Sequence, residues 1–310
     1  PTIRAAFVST NSITQGEQVG VLWSWLLAQG IHIHFAHRTF RWSNEARGMA
    51  AVHCVIIGFG AFDVDKKTIY EYEDIRGESH AVEVTNINPY LVDAADILLS
   101  RRTKPICNVP EARFGNMPID GGHLVLEPAE KDELLQKDPG VAKYIRPYIG
   151  AEEFINGKER YCLWLKDVSP TELRSHPELL SRVDLVKQFR SASKRPATRD
   201  LAATPSLFGF VSHRDNENVI VPRVASERRQ RIPIGYLSAI TIVSDQCFML
   251  ADGERYHFGI LSSEMHMAWV RYVCGRLKSD FRYSNSIVYN NFPWPDQPSD
   301  TQREKIEQAA

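Results

Sequence analysis

Ala50-Ala51-Val52-His53-Cys54-Val55-Ile56-Ile57-Gly58-Phe59 decides the fold class of this 310-residue chain. The run is apolar and rich in β-branched residues, which favours a buried strand over a helix. Upstream, Ile31-His32-Ile33-His34-Phe35-Ala36 alternates like a half-buried strand, and a polar, Arg-rich loop from His37 to Gly48 separates the two. Before that, Glu17 to Gln29 spaces Val19, Leu22, Trp23, Leu26 and Leu27 on one helical face, and Gly30 stops the helix. Asn11 to Gly16 is a polar loop, and Ala5-Ala6-Phe7-Val8-Ser9-Thr10 reads as a buried strand. Strand, helix, strand, long loop, strand is the grammar of an α/β sheet whose last two strands form a hairpin.

Downstream the signals shorten. A polar strand or hairpin is expected from Lys66 to Gly77, a linker at Ser100-Arg101-Arg102-Thr103-Lys104-Pro105, and a loop from Gly115 to Gly122. Helices are expected from Pro128 to Gln136, from Ala142 to Ile149, and from Leu179 to Ser191, the last with Leu179, Val183, Val186 and Phe189 as its apolar stripe. Glu159 to Lys166, Val219 to Val224, Leu237 to Val243 and Gln246 to Leu250 read as strands. His257 to Leu277 is mostly helical, and the chain ends in a short charged helix.

With 43% hydrophobic and 24% charged residues, the composition excludes collagen, low-complexity disorder and a disulfide-stapled miniature. No apolar run reaches the roughly 18–20 residues of a membrane span. The chain opens on Pro1-Thr2-Ile3-Arg4, without an initiator Met or a signal peptide, which suggests a piece of a longer protein. The five cysteines are odd in number and form no Cys-x-x-Cys pair, so a reduced, cytoplasmic protein without a zinc site is expected. Net charge is −1, yet the window from Arg182 to Arg231 holds eleven basic and five acidic residues, leaving +6 there. Such asymmetry points to a locally basic face turned toward a polyanion, or else to an ordinary solvated surface.

Several motifs are weak. Asn88-Pro89-Tyr90 is half of an Asn-Pro-Pro-aromatic motif and lacks its second proline, so it reads as structural. Gly58-Phe59-Gly60 follows a strand without a third glycine or a helix. Two segments carry more. Arg38, Phe40, Arg41 and Trp42 sit between buried strands, where an aromatic could stack a base and an arginine could hold a phosphate; alternatively, the rings plug the sheet edge. In Ser226-Glu227-Arg228-Arg229-Gln230-Arg231, an extended backbone would put Glu227, Arg229 and Arg231 on one face. Arg reads guanine bidentately and Glu accepts from the cytosine amino group, so that face could read adjacent base pairs; the alternative is a surface salt-bridge cluster.

Seven stretches together resemble the C-terminal part of the MmeI-like (type IIL) fused restriction–modification enzymes. They are residues 7–19, 35–46, 52–59, 87–91 (Ile-Asn-Pro-Tyr-Leu), 115–122 (Gly-Asn-Met-Pro-Ile-Asp-Gly-Gly), 160–165 (Arg-Tyr-Cys-Leu-Trp-Leu) and 289–295 (Tyr-Asn-Asn-Phe-Pro-Trp-Pro). The resemblance implies a partial methyltransferase sheet (residues 1–100), then an α+β target-recognition domain (101–236), then the rest of the recognition region with a helical C-terminal cap (237–310). It implies an adenine-N6 DNA methyltransferase as parent, using S-adenosylmethionine, with the cofactor's glycine motif and the Asn-Pro-Pro-aromatic motif upstream of this chain. A nuclease part would also lie N-terminal. Double-stranded DNA and the missing N-terminal part are then the partners, and no membrane is involved. Carried onto this sequence, Phe40 stacks on the flipped target adenine, with Trp42 as fallback. Glu227, Arg229 and Arg231 read bases, and Arg38, Lys194, Arg195, Arg199 and Arg228 contact the DNA backbone. Two other readings stand beside this one: a DNA-binding specificity module that works with a separate catalytic subunit, and a small-molecule α/β enzyme with an incidental basic patch.

Overall fold

The computed structural model describes residues 2–42 and 52–310. The fold is mixed α/β, with several sheets and helices. Two compact units divide the chain. The first joins Pro1–Asn108, Val224–Gln230 and Glu264–Pro295, and the second joins Val109–Arg223, Arg231–Ser263 and Asp296–Ala310.

The first unit is built on a five-stranded sheet. Its elements are β1 (Arg4–Thr10), α1 (Glu17–Ala28), β2 (His32–Trp42), β3 (Val52–Gly60), β4 (Lys67–Tyr72) and β5 (Ser79–Val84), in the strand order β1-β3-β2-β4-β5. The run that opened the sequence reading is β3, which pairs antiparallel with both β1 and β2 and buries Cys54, Val55 and Ile57. The hairpin of β2 and β3 is the expected one. Gly58 faces Phe35 across it, and a Cβ there would fall 2.0 Å from the Phe35 ring, so the glycine makes room for an aromatic rather than for a phosphate.

Three expectations change in this unit. β2 runs on to Trp42, so Phe40, Arg41 and Trp42 are strand residues paired with Cys54, His53 and Val52, not loop residues. The rest of the expected His37–Gly48 loop, residues 43–48, and Ala50 and Ala51 lie outside the described residues. β1 is an edge strand, with Phe7 65% and Val8 53% exposed, rather than a buried one. On α1, Val19 and Trp23 are buried while Val21 and Trp25 face outward. Residues 100–105 are anchored instead of forming a free linker: Arg102 donates from its backbone to Ser286 O (3.0 Å) and from Nε to Asn291 Oδ1 (2.9 Å). Asn88 is structural as expected. Its Oδ1 accepts from the Tyr90 and Val92 amides, which holds Leu91 at φ 58°.

The second unit carries two four-stranded sheets, ordered Gly235–Leu237, Asn218–Pro222, Cys247–Leu250, Ala112–Phe114 and Ile242–Val243, Ile145–Ile149, Tyr161–Leu163, Val125–Leu126. Leu124, Leu126, Leu163, Leu165 and Ile242 form a core with Leu179, Val183 and Val186 of the Pro177–Ser191 helix. The helix expected over residues 142–149 is not formed. A 3-10 turn spans Pro139–Tyr144, and Ile145–Ile149 is a strand because Tyr161–Leu163 offers a partner. The strand expected over 237–243 is broken by a turn in which Thr241 N donates to Ser238 O. The segment 257–277 is likewise two helices, Arg255–Leu261 and Glu264–Val273, followed by a short strand from Gly275. The C-terminal helix Asp300–Ala309 forms as expected, started by a Ser299/Gln302 capping box. Among the described residues, no helix is long and apolar enough to cross a membrane.

Candidate nucleic-acid interface

β2 carries a one-residue bulge between His37 and Phe40. Residues three apart on a regular strand face opposite sides; the extra residue brings these two to the same side. Their rings lie 6.3 Å apart, and Trp42 continues the row 6.2 Å from Phe40. β4 runs parallel beside β2 and adds Tyr70 and Tyr72. Tyr70 stacks on His37 (4.1 Å, 6°) and Tyr72 on Phe40 (5.5 Å, 22°). The Tyr72 hydroxyl and His37 Nδ1 are hydrogen-bonded at 2.8 Å. Burial holds the His37 imidazole below its ordinary range, which favours a neutral ring there. The sequence reading found Phe40 and Trp42 and missed His37, Tyr70 and Tyr72. The alternation in Lys67-Thr68-Ile69-Tyr70-Glu71-Tyr72 carries a signal that both tyrosines share one face, but nothing local says that this face adjoins β2.

Arg38 is tied to its own unit. Its Nη1 pairs with Glu71 at 2.5 Å, its Nε donates to Leu91 O at 2.9 Å, and its guanidinium lies over Tyr272. It lines a cleft of about 630 Å3 together with Thr39, Tyr72, His80, Arg271 and Arg276.

The segment around Glu227 is not extended. After the Val224–Ala225 strand, Arg229 N donates to Ser226 O at 3.1 Å and Arg228 N to Ser226 Oγ, closing a turn. Glu227 N donates to Asp280 Oδ1, which ties the turn to the neighbouring hairpin. Two-residue alternation therefore does not place Glu227, Arg229 and Arg231 on one face. Glu227, Arg228 and Arg229 belong to the first unit and are exposed, while Arg231, also exposed, belongs to the second. The turn chemistry of Ser226 is a local signal, whereas the extended reading rests on the strand-like segments on either side, Val219 to Val224 and Leu237 to Val243.

Lys194, Arg195 and Arg199 are exposed at the short Pro196–Asp200 helix of the second unit, where Arg199 Nη1 donates to Ser193 O and Lys194 O. The +6 window as a whole is not one basic face. Arg182 donates to His123 O, Arg214 pairs with Asp252, and Arg223 donates to Asp245 O and lies 4.9 Å from the Phe114 ring. Arg190 is fully buried.

Comparison with known proteins decides the family. The model of the MmeI target recognition domain matches residues 93–296, and that of the MmeI DNA-methyltransferase domain matches residues 1–71. The chain belongs to the MmeI family. A DNA methyltransferase A of Bacillus subtilis (strain 168) is 44% identical over 306 residues, which cover 99% of this chain and 34% of that protein. The solved structure of the type IIL restriction–modification enzyme MmeI in complex with DNA is 49% identical, with a TM-score of 0.86 over 99% of this chain and 41% of that one. The chain thus spans about a third of its curated relative.

Within the MmeI frame, the methyltransferase match takes in β1 to β3 and β4 as far as Glu71, and with them His37, Phe40, Trp42 and Tyr70, whereas the recognition match takes in Lys194, Arg195, Arg199 and residues 227–231. Among the described residues, the β1-to-α1 junction and Asn88 do not fit an S-adenosylmethionine site. The β1-to-α1 junction, Asn11–Gly16, is a 3-10 turn with a single glycine packed against Gly275, not a glycine-rich cradle. Asn88 spends its side chain on its own loop.

Proposed function

We propose that this chain reads a specific sequence in double-stranded DNA and presents the target base inside a larger adenine-N6 DNA methyltransferase of the restriction–modification type, which uses S-adenosylmethionine. The observation that carries the reading is the order of the two family matches: a methyltransferase match over residues 1–71, which ends within β4, precedes a target-recognition match over residues 93–296. The methyltransferase match over residues 1–71 weighs against a stand-alone recognition module, which has no use for that sheet. In domain terms, residues 1–100 act as the end of the methyltransferase domain, 101–236 as the recognition domain, and 237–310 as its continuation with a helical cap.

Phe40 stacks the extruded adenine, a step required because N6 is inaccessible in the stacked duplex, and Trp42 flanks it. Glu227, Arg229 and Arg231 supply base contacts, and Lys194, Arg195, Arg199 and Arg228 bind phosphates, which position the duplex without specifying its sequence. Arg38 is left out of the phosphate set because Glu71 already holds it.

Binding-site selection on random duplexes tests the reading. One enriched sequence is expected, and no enrichment overturns it. Arg229→Ala should cost about 1–3 kcal/mol at that sequence and relax a single base position. Lys194→Ala should weaken all sequences alike and lower the slope of log affinity against log salt by about 1. Unchanged preference in the first variant, or a sequence-selective loss in the second, removes those residues from their roles.

A further inference from the structure

We propose that Tyr72 is a positioning residue: its ring backs Phe40 so that Phe40 meets the target base flat, and His37 and Tyr70 hold Tyr72 in place. The inference rests on the assignment of Phe40 to the target base made above. Phe40 and Tyr72 are nearly parallel, at 22° and 5.5 Å between ring centres. Among the described residues, the other ring neighbours of Phe40, His37 and Trp42, meet it at 65° and 49°, so neither stacks on its second face. A base entering there completes a base–Phe40–Tyr72 stack.

Each further contact removes a freedom that the stack would otherwise lose on binding. The Tyr72 hydroxyl is hydrogen-bonded to His37 Nδ1 at 2.8 Å, which fixes the ring's swing about its side-chain axis. His37 is in turn stacked flat on Tyr70, at 4.1 Å and 6°. Burial holds the His37 imidazole low, which favours the uncharged ring, and in the tautomer with the proton on Nε2 its Nδ1 accepts a hydrogen bond from the phenol. The bulge between His37 and Phe40 is what puts all these rings on one side of the sheet. An unbacked phenylalanine at the end of a strand samples several rotamers and must be ordered by the base itself; here that ordering is built in beforehand.

The test uses the full-length enzyme and a duplex of the selected sequence, comparing the single-turnover methylation rate with duplex affinity. Tyr72→Leu keeps apolar volume and loses the flat ring. It should slow the single turnover by about fivefold or more, the scale of one lost stacking contact, with affinity within about twofold. Tyr72→Phe keeps the ring and loses only the hydroxyl, and should recover most of that loss while remaining slower than the wild type. A merely structural role would not separate rate from affinity in this way. A wild-type rate in Tyr72→Leu overturns the inference. Should that variant fail to fold, Tyr72→Phe decides alone: a slowed turnover at unchanged affinity supports the lock, and a wild-type rate overturns it. Phe40→Ala keeps the two layers apart, because a wild-type rate there removes the base-stacking assignment itself, whereas a slow Phe40→Ala beside a normal Tyr72→Leu removes only the positioning.

Discussion

Arg190 stands where a helical stripe calls for an apolar side chain. Positions 179, 183, 186 and 190 follow the helix period, and all four are buried. The reading of Phe189 as the last stripe residue was off by one position: Phe189 is 45% exposed and Arg190 fully buried. The guanidinium is satisfied entirely by backbone carbonyls: Nε donates to Ile119 O, Nη1 to Leu201 O and Thr204 O, and Nη2 to Pro118 O and Leu207 O, at 2.7–3.0 Å. One side chain thereby ties the loop 118–119 to the turn 201–207 within the second unit. Arg190→Met should destabilise the chain by about 3 kcal/mol or more, since it removes a fully buried guanidinium whose bonds from a charged donor to these carbonyls are worth about 1.5–3 kcal/mol each. Urea unfolding checks this, and a loss below about 1 kcal/mol would contradict it. The period made a buried position at 190 legible. A buried arginine was not, because its partners are loop carbonyls far from it in sequence.

Glu172 shows the same limit for whole elements. It pairs with Lys143, joining the short Pro170–Arg174 helix to the Pro139–Tyr144 turn. The Lys143 ammonium pushes the Glu172 carboxyl down to about 2. A carboxyl depressed in the fold and ordinary in the unfolded chain contributes stability that is present above about pH 4.3 and fades as pH falls toward 2. Carboxyl-carbon shifts followed by pH should place the Glu172 midpoint near 2, and Lys143→Met should raise it toward the ordinary carboxylate range. A midpoint near 4 in both proteins would mean that the pair is open in solution. Element type was legible wherever periodicity was long, as in α1 and the Pro177–Ser191 helix. It fails where a strand partner comes from elsewhere: residues 142–149 have helical spacing, yet Ile145–Ile149 is a strand because Tyr161–Leu163 lies beside it, and β2 extends to Trp42 because β3 offers Val52 as partner.

At the scale of the whole molecule, the chain matches the MmeI DNA-methyltransferase domain over residues 1–71 and the MmeI target recognition domain over residues 93–296. The 310 residues contain no Asn-Pro-Pro-aromatic motif, and among the described residues the β1-to-α1 junction holds a single glycine, so on the proposed reading the chain by itself should transfer no methyl group to DNA. Incubation with radiolabelled S-adenosylmethionine and a duplex of the selected sequence checks this; label in the DNA would overturn it. The family was legible in the sequence, because seven ordered stretches span nearly the whole chain, and so was the α/β class, because β3 is an apolar run that burial alone explains. Phe40 was legible as an aromatic between two strands, but not as a strand residue paired with Cys54 of β3. Only the tertiary structure decided that β2 is bulged, that Tyr70 and Tyr72 stand beside His37 and Phe40, that the Glu227–Arg229 segment is a turn, and that the +6 window is not one surface. The physical reason is common to all four. Periodicity reports which face of an element is apolar, a local property of the chain, whereas strand neighbours, bulge registers and the partners of a charged side chain are set by residues brought together from distant parts of the sequence.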